Sequence, residues 1–417
     1  MTVSADMPIE TVKPRSQSRA SIVVAGAVSM AVAIGVGRFA FTPLLPLMLR
    51  DGIVDLNFGS WLATANYAGY MIGALLCMAL PRLWPSSALI RWGMAATAAL
   101  TLGMALHIPW LWIVLRFLAG IASAVVFVFT SGWCLARLSA LGAPALGGAI
   151  YTGPGAGIAA SGLASFGMMA DNWTAASGWL ALGVLVTILS ALVWPVFRGP
   201  DVSPRGVAVA SSEAEAGAAP ITGGSREMAV FTFTYGLAGF GYIITATFLP
   251  VIARTALPGS VWLYLFWPIF GVGVVGGALL ATRIPTRIDP RLTLAICYVC
   301  QAIGIGLTLY LPTSLGFVLG SLLVGSPFNV ISFLAMQEIR RLRPHHAARF
   351  MGLLTASYGL GQIAGPPMTA ALLAQSSSHA QGFALSLAIA SATLLIGAVL
   401  YVLMARAWPM RLSKAEL

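Results

Sequence analysis

From Ser21 to Leu49 the chain carries one charged residue, Arg38, in an otherwise apolar run long enough to cross a bilayer. Runs of this kind recur along the whole chain, and they decide the fold class. Backbone groups in hydrocarbon must satisfy each other, and a helix does this within one segment. A spanning helix needs roughly 20 mostly apolar residues. Twelve segments meet that need: about 22–48, 58–80, 88–106, 110–134, 146–170, 174–197, 228–252, 262–281, 292–311, 315–337, 350–374 and 383–405. Of the 417 residues, 59% are hydrophobic and 8% charged, against roughly a quarter charged in a soluble domain. The expected fold is therefore an all-α polytopic membrane protein.

A net charge of +11 would point to nucleic acid in a soluble protein. Here the basic residues fall in alternate loops, so the charge reads as topology and no nucleic acid is expected. With the N-terminus cytoplasmic, only Arg50 and Arg254 fall in the outer loops, while Lys13, Arg15, Arg19, Arg82, Arg91, Arg137 and the clusters at 283–291 and 340–349 fall inside. Both termini are expected on the cytoplasmic side. Several of the twelve Trp, among them Trp84, Trp110, Trp173, Trp194 and Trp408, sit near segment ends, as in an interfacial belt. The first apolar run is too long for a signal peptide and reads as a retained helix.

The longest loop, 198–227, is small, polar and rich in Gly and Pro, like a flexible linker. It divides the chain into a tail (1–20), a first six-helix bundle (21–197), the linker, a second bundle (228–405) and a tail (406–417). The bundles look like copies. Gly35, Gly37 and Pro46 match Gly239, Gly241 and Pro250 at an offset of 204, and Gly69 and Gly73-Ala-Leu-Leu76 match Gly273 and Gly277-Ala-Leu-Leu280 at the same offset. Gly120 matches Gly325, and Gly153-Pro154 has a looser counterpart in Gly365-Pro366. Parallel repeats around a midplane site are the plan of one large transporter class. The four cysteines, Cys77, Cys134, Cys297 and Cys300, all lie in apolar segments. Without a nearby His, the CxxC at 297–300 reads as packing, and neither metal nor cofactor is expected.

Over its whole length the chain resembles the major facilitator superfamily. Arg116-Phe-Leu-Ala-Gly120-Ile-Ala-Ser-Ala124 is similar to that superfamily's RxxxGxxxA motif, and Gly153-Pro154-Gly-Ala-Gly157 to its GPxxG antiporter motif. The loop after the second segment departs from the usual pattern, with Cys77 at the aspartate position. Within the superfamily, GVGRFAFTPLLPLM (35–48), YGLAGFGYIITATFLP (235–250) and YGLGQIAGPP (358–367) resemble the YbfB/YjiJ-type transporters. The resemblance implies a bacterial inner-membrane carrier, twelve helices in two pseudo-symmetric bundles, and a cavity lined by the first, fourth, seventh and tenth.

Two cations, Arg38 and Arg116, lie inside apolar segments, and no carboxylate does. A charge in the membrane is expensive and usually faces a polar cavity. At 1.5 Å per residue, Arg38 lies about 16 Å and Arg116 about 9 Å below the outer end of their helices. Guanidinium grips carboxylates bidentately, so the pair is expected to clamp a small organic anion supplied from outside. Arg116 also has a structural alternative, bonding backbone carbonyls or the Asn66/Tyr67/Tyr70 region. Tyr242, the repeat mate of Arg38, and Asn329 are expected to close on the anion from the second bundle. Tyr151, Gln362 and Trp267 are further candidates, Trp267 equally as core. Gly120, Gly153, Pro154 and Gly157 are expected to serve packing and movement, with Pro154 weakening its helix. Glu338 is a candidate cytoplasmic gate or surface ion pair.

With the carboxylates and all four His at segment ends or in loops, exchange or facilitated diffusion is expected over proton symport through a carboxylate. The expected function is alternating-access transport of a small mono- or dicarboxylate, by antiport, in a monomer. Efflux of neutral or anionic drugs is the alternative. An enzyme would need a His/Asp/Glu cluster that the chain lacks.

Overall fold

A computed structural model describes residues 18–77, 84–198, 224–281, 283–284, 288–343 and 347–410. The expected linker at 198–227 falls almost wholly outside the described residues, as do most of both tails. All regular structure among the described residues is helical. The α-helices are α1 (Arg19–Met30), α2 (Phe41–Arg50), α3 (Leu56–Leu76), α4 (Ser86–Gly103), α5 (Pro109–Ala140), α6 (Thr152–Ala170), α7 (Ala175–Val193), α8 (Ser225–Ala256), α9 (Phe266–Ala281), α10 (Pro290–Tyr310), α11 (Ser314–Gly325), α12 (Phe328–Leu342), α13 (Ala347–Gln375) and α14 (His379–Ala407). Among the described residues, eight helical stretches are long and apolar enough to cross a membrane: Arg19–Arg50, Pro109–Ala140, Ala175–Arg198, Ser225–Ala256, Trp262–Ala281, Pro290–Tyr310, Ser314–Ile339 and His379–Ala407. The other four expected segments coincide with α3, α4, α6 and α13.

Helix starts follow local chemistry. Asp55, Thr174, Asp289, Thr313 and Ser378 each accept a hydrogen bond from a backbone N–H in the first turn that follows. Pro109 and Pro290 stand in first turns, where an absent N–H loses nothing.

Two expected helices are not continuous, and both differences have a cause. The first apolar run is interrupted by a π-helical segment, Ala31–Arg38, between α1 and α2. Thr42 N–H donates to the Phe39 carbonyl at 3.2 Å, not to Arg38 four residues back, and Pro43 has no N–H to offer. The Arg38 carbonyl is thus released from the helical ladder. The tenth segment breaks into α11 and α12 at Ser326–Pro327, as proline requires. Its repeat mate, the long α5, is unbroken, and so is α8, the mate of the first run.

The repeat seen in sequence is repeated in contacts. Gly69 packs on the α5 backbone at Phe117, and Gly273 on the α11 backbone at Leu322. Gly73 meets Ile121 of α5, while Gly277 meets Ser326 at the end of α11. Gly120 faces Asn66 and Tyr70 of α3, and Gly325 faces Phe270 of α9. The N-terminal and C-terminal helices meet mainly where α6 lies on α9 and α3 lies on α13, with a further contact between α2 and α8.

α6 is the thinnest element in that interface. Gly153 and Gly157 face the backbone of the first run at Ala27, Ala31 and Gly35, while Gly155 and Gly162 face α9 at Gly271 and Pro268. A Cβ on Gly155 would stand 2.6 Å from the Gly271 carbonyl oxygen. Small residues on two faces let the helix approach two neighbours at once. Pro154 lies in the first turn of α6, so it helps to start the helix; the expectation that it weakens the helix ladder does not hold.

Candidate functional site

Arg38 ends the π segment and is only 4% exposed. Its Nη2 donates to Gln362 Oε1 of α13 at 2.7 Å. Gln362 Nε2 in turn donates to the Tyr242 hydroxyl of α8 by a short hydrogen bond. The guanidinium carbon stands 3.9 Å from the centre of the Tyr70 ring and 5.2 Å from those of Tyr67 and Phe39. Arg38 pairs with no carboxylate among the described residues, and its buried Nε has no hydrogen-bond partner there. A desolvated cation without a counter-ion is costly. Aromatic faces and one neutral amide offset part of that cost.

Arg116 of α5 is equally buried, at 2%, and differently employed. Nη1 donates to the Gly37 carbonyl at 3.2 Å and Nη2 to the Arg38 carbonyl at 2.8 Å. The second of these is the carbonyl that the helix break released. Asn66 holds the Arg116 carbonyl at 2.9 Å, and the guanidinium lies 5.0 Å from the Phe41 ring centre. Of the two roles read from the sequence, this geometry realises the backbone one. Arg116 fixes the carrier of Arg38, while Arg38 turns its own guanidinium toward the C-terminal helices.

Around Arg38 the rings form a closed circuit. Phe39 packs on Phe328 of α12, with centroids 5.9 Å apart. Phe328 packs on Tyr242 at 5.1 Å, and Tyr242 returns to Arg38 through Gln362. Trp267 of α9 is 1% exposed, stacks on Phe270 at 5.0 Å and lies 6.1 Å from Phe39. It is a core residue by burial, yet its indole N–H has no partner among the described residues. Tyr358 stacks on both Tyr242 and Tyr235.

Near Arg38 and C-terminal to it along the first run, two hydrogen bonds join the chain halves. The Thr42 hydroxyl donates to the Ala246 carbonyl at 2.7 Å, and the Tyr67 hydroxyl lies 2.8 Å from Thr247 Oγ1. Beyond them, a shallow space of about 290 Å³ is lined by Pro46, Leu49, Arg50, Val251 and Arg254. Asn329, expected to face the anion, instead donates its amide to the Tyr151 carbonyl at 3.0 Å, another bond between halves. The proline break before it does place its side chain between helices.

Glu338 is fully buried, so it is not a surface ion pair. It binds Arg341 through both carboxylate oxygens, at 2.8 and 2.6 Å, and lies 3.6 Å from Arg291 Nε. Arg291, 1% exposed, also binds Glu227 at 2.9 Å, Asp289 at 2.9 Å and the Trp408 carbonyl at 2.6 Å. The network ties α8, α10, α12 and the end of α14 together within the C-terminal helices. Sequence reasoning passed over Glu227 as linker and Arg291 as a topological charge. Nothing local in the sequence links residues 227, 291 and 338.

No group of three or more His, Cys, Asp or Glu able to hold a metal occurs among the described residues. All four cysteines are free, and Cys297 and Cys300 lie on consecutive turns of α10.

The fold has solved counterparts. The nucleoside transporter NupG matches with a TM-score of 0.68 at 15% identity, covering 93% of this chain and 98% of its own. A D-xylose-proton symporter matches with a TM-score of 0.70 at 14% identity, covering 92% and 97%. A bacterial homolog of the human lysosomal transporter Spinster, in an inward-facing and unoccupied conformation, matches with a TM-score of 0.68 at 12% identity, covering 96% and 100%. At these identities the likeness is one of fold. No curated protein matches the chain significantly in sequence. The family described as "Uncharacterised MFS-type transporter YbfB" matches residues 30–402; the chain belongs to this family of multi-pass membrane transporters and is not an enzyme.

Proposed function

We propose that this transporter moves small organic anions by alternating access, with Arg38 as the residue that contacts the anion. The observation that carries this reading is a buried guanidinium with no carboxylate partner, held between the two chain halves by a neutral amide. An arriving carboxylate supplies the missing charge and can bind bidentately. Tyr242 and Gln362 stand within the same hydrogen-bonded chain and complete the anion's contacts. Arg116 acts through the backbone that carries Arg38.

In this reading twelve helices cross the membrane as two six-helix bundles. α1, the π segment and α2 make one crossing, α11 and α12 another. Both termini are cytoplasmic, in a bacterial inner membrane, because basic residues crowd the loops of one side. The halves rock about a midplane site, with α6 on α9 and α3 on α13 as the bearing surfaces. The Thr42–Ala246 and Tyr67–Thr247 bonds hold the outer end shut in the conformation described. The protein works as a monomer and exchanges one anion for another, since no carboxylate lies next to Arg38 to relay a proton.

The test is a melting-temperature screen of purified protein against matched acids, amides and amines, with Arg38→Gln beside the wild type. Stabilisation by acids that disappears in the variant is the expected result. Stabilisation by amides or amines that persists in Arg38→Gln would leave Arg38 as a structural anchor and favour efflux of neutral compounds.

A further inference from the structure

Resting on the anion reading, we infer that the cargo is an aromatic monocarboxylate: one carboxylate on Arg38, with a planar apolar body among Phe39, Phe328, Tyr242 and Trp267.

The charge count argues for one carboxylate. Both terminal nitrogens of Arg116 are taken by the Gly37 and Arg38 carbonyls. Arg291 and Arg341 are bound to acidic side chains of their own. Arg50 binds Asp51 near the shallow space at the outer end. A dicarboxylate bound at Arg38 therefore brings a second charge that meets rings, and an unpaired charge in such surroundings costs several kcal/mol.

The lining argues for a ring. Tyr70, Tyr67 and Phe39 stand round the guanidinium beside the Gln362 amide, and Phe328 and Tyr242 continue the cluster through Phe39 and Gln362. These residues come from α3, α8, α12, α13 and the turn after the π segment, and so from both chain halves. An aliphatic acid offers these rings no flat surface, whereas a flat ring can stack offset or edge-on against these faces. The rings already pack against one another that way, at centroid distances of 5.1 to 6.1 Å. A ligand ring inserted when the halves part replaces those contacts with equivalent ones.

Two polar groups set the pose. Gln362 occupies Arg38 with its amide oxygen, the position a carboxylate oxygen takes on binding. The amide then turns its N–H toward the acid. Trp267 contributes a buried N–H without a partner among the described residues, next to Phe39. A hydroxyl or carbonyl on the far side of the cargo ring would satisfy it, so hydroxylated aromatic acids are expected to bind better than unsubstituted ones.

The experiment measures binding of acetate, succinate, benzoate, 4-hydroxybenzoate, terephthalate and benzamide to purified protein by tryptophan fluorescence and melting temperature. Wild type, Arg38→Gln, Phe328→Leu and Trp267→Phe are compared, the last by melting temperature. Benzoate is expected to bind at least about tenfold more tightly than acetate or succinate, on the scale of one aromatic pair contact. Phe328→Leu is expected to weaken benzoate and leave acetate unchanged, and Trp267→Phe to erase the advantage of 4-hydroxybenzoate. Tight, Arg38-dependent binding of succinate or terephthalate, or acetate binding as tightly as benzoate, would overturn the aromatic monocarboxylate while leaving the anion reading intact. Benzamide binding that survives Arg38→Gln, or no response to any acid, would overturn both.

Discussion

Replacing Arg116 with leucine separates its backbone role from ligand contact. The wild-type side chain holds two carbonyls, of Gly37 and Arg38, at 3.2 and 2.8 Å inside the protein. A buried carbonyl left without a donor costs about 1–3 kcal/mol, so two cost roughly 2–6 kcal/mol. Removing the guanidinium also removes a buried charge, and the recovered hydration offsets several kcal/mol of that loss. The net expectation is a destabilisation of about 2 kcal/mol, which corresponds to a fall of roughly 2–3 °C in apparent melting temperature. Arg116→Lys keeps the charge and one well-placed donor and should recover about half of the fall. The assay is thermal unfolding in detergent, followed by acid binding well below the melting point. Because Arg116 positions the segment that carries Arg38, acid affinity should fall in step with stability across the three proteins. A leucine variant that melts like the wild type yet has lost all acid binding would refute the reasoning. Arg116 would then be a direct ligand of the anion, and the two carbonyls would be satisfied some other way.

Gln362→Glu places a carboxylate against Arg38; it should raise the melting temperature and abolish stabilisation by added acids, whereas Gln362→Ala should leave acid binding measurable. Gly155→Val forces a side chain into the Gly271 carbonyl and should eliminate transport in proteoliposomes while the protein still purifies as a monodisperse species. Arg291→Ala leaves Glu227, Asp289 and Glu338 without their shared cation. A loss of about 3–5 kcal/mol is expected, read as a sharp fall in folded yield that Arg291→Lys partly restores. Paired Thr42→Val and Tyr67→Phe removes both of these bonds between the halves and should increase thiol labelling of a cysteine placed at Leu45.

The helical plan was legible because hydrocarbon imposes it residue by residue, and hydropathy reads it directly. The duplication was legible for a related reason. Gly69, Gly73 and Gly120 mark places where backbones touch, and only glycine fits there, so both copies keep it. Arg38 announced itself as a charge inside an apolar run. Its partner did not, because Gln362 lies 324 residues away and one neutral amide among many polar side chains carries no signal. The division of labour between the arginines was also hidden. It depends on the first run breaking ahead of Pro43, and on α5 arriving beside the break. The signs of the break were present in the sequence, but not the direction in which the freed carbonyl points. Glu227 and Arg291 were invisible as a pair, since each taken alone looks like an ordinary charge at the membrane edge.

The double glycine face of α6 has a consequence for speed. Where two helices interlock through long side chains, tilting one makes each side chain leave its rotamer well and find another, and every such step adds to the barrier. At Gly155 and Gly162, the two glycines that face α9, the surface of α6 has no rotamers to change. That neighbour rides on bare backbone, as a shaft does in a plain sleeve. In the proposed cycle the slow events should therefore lie at Arg38, where charge must be found a partner or given up. Friction between the moving bodies should contribute little.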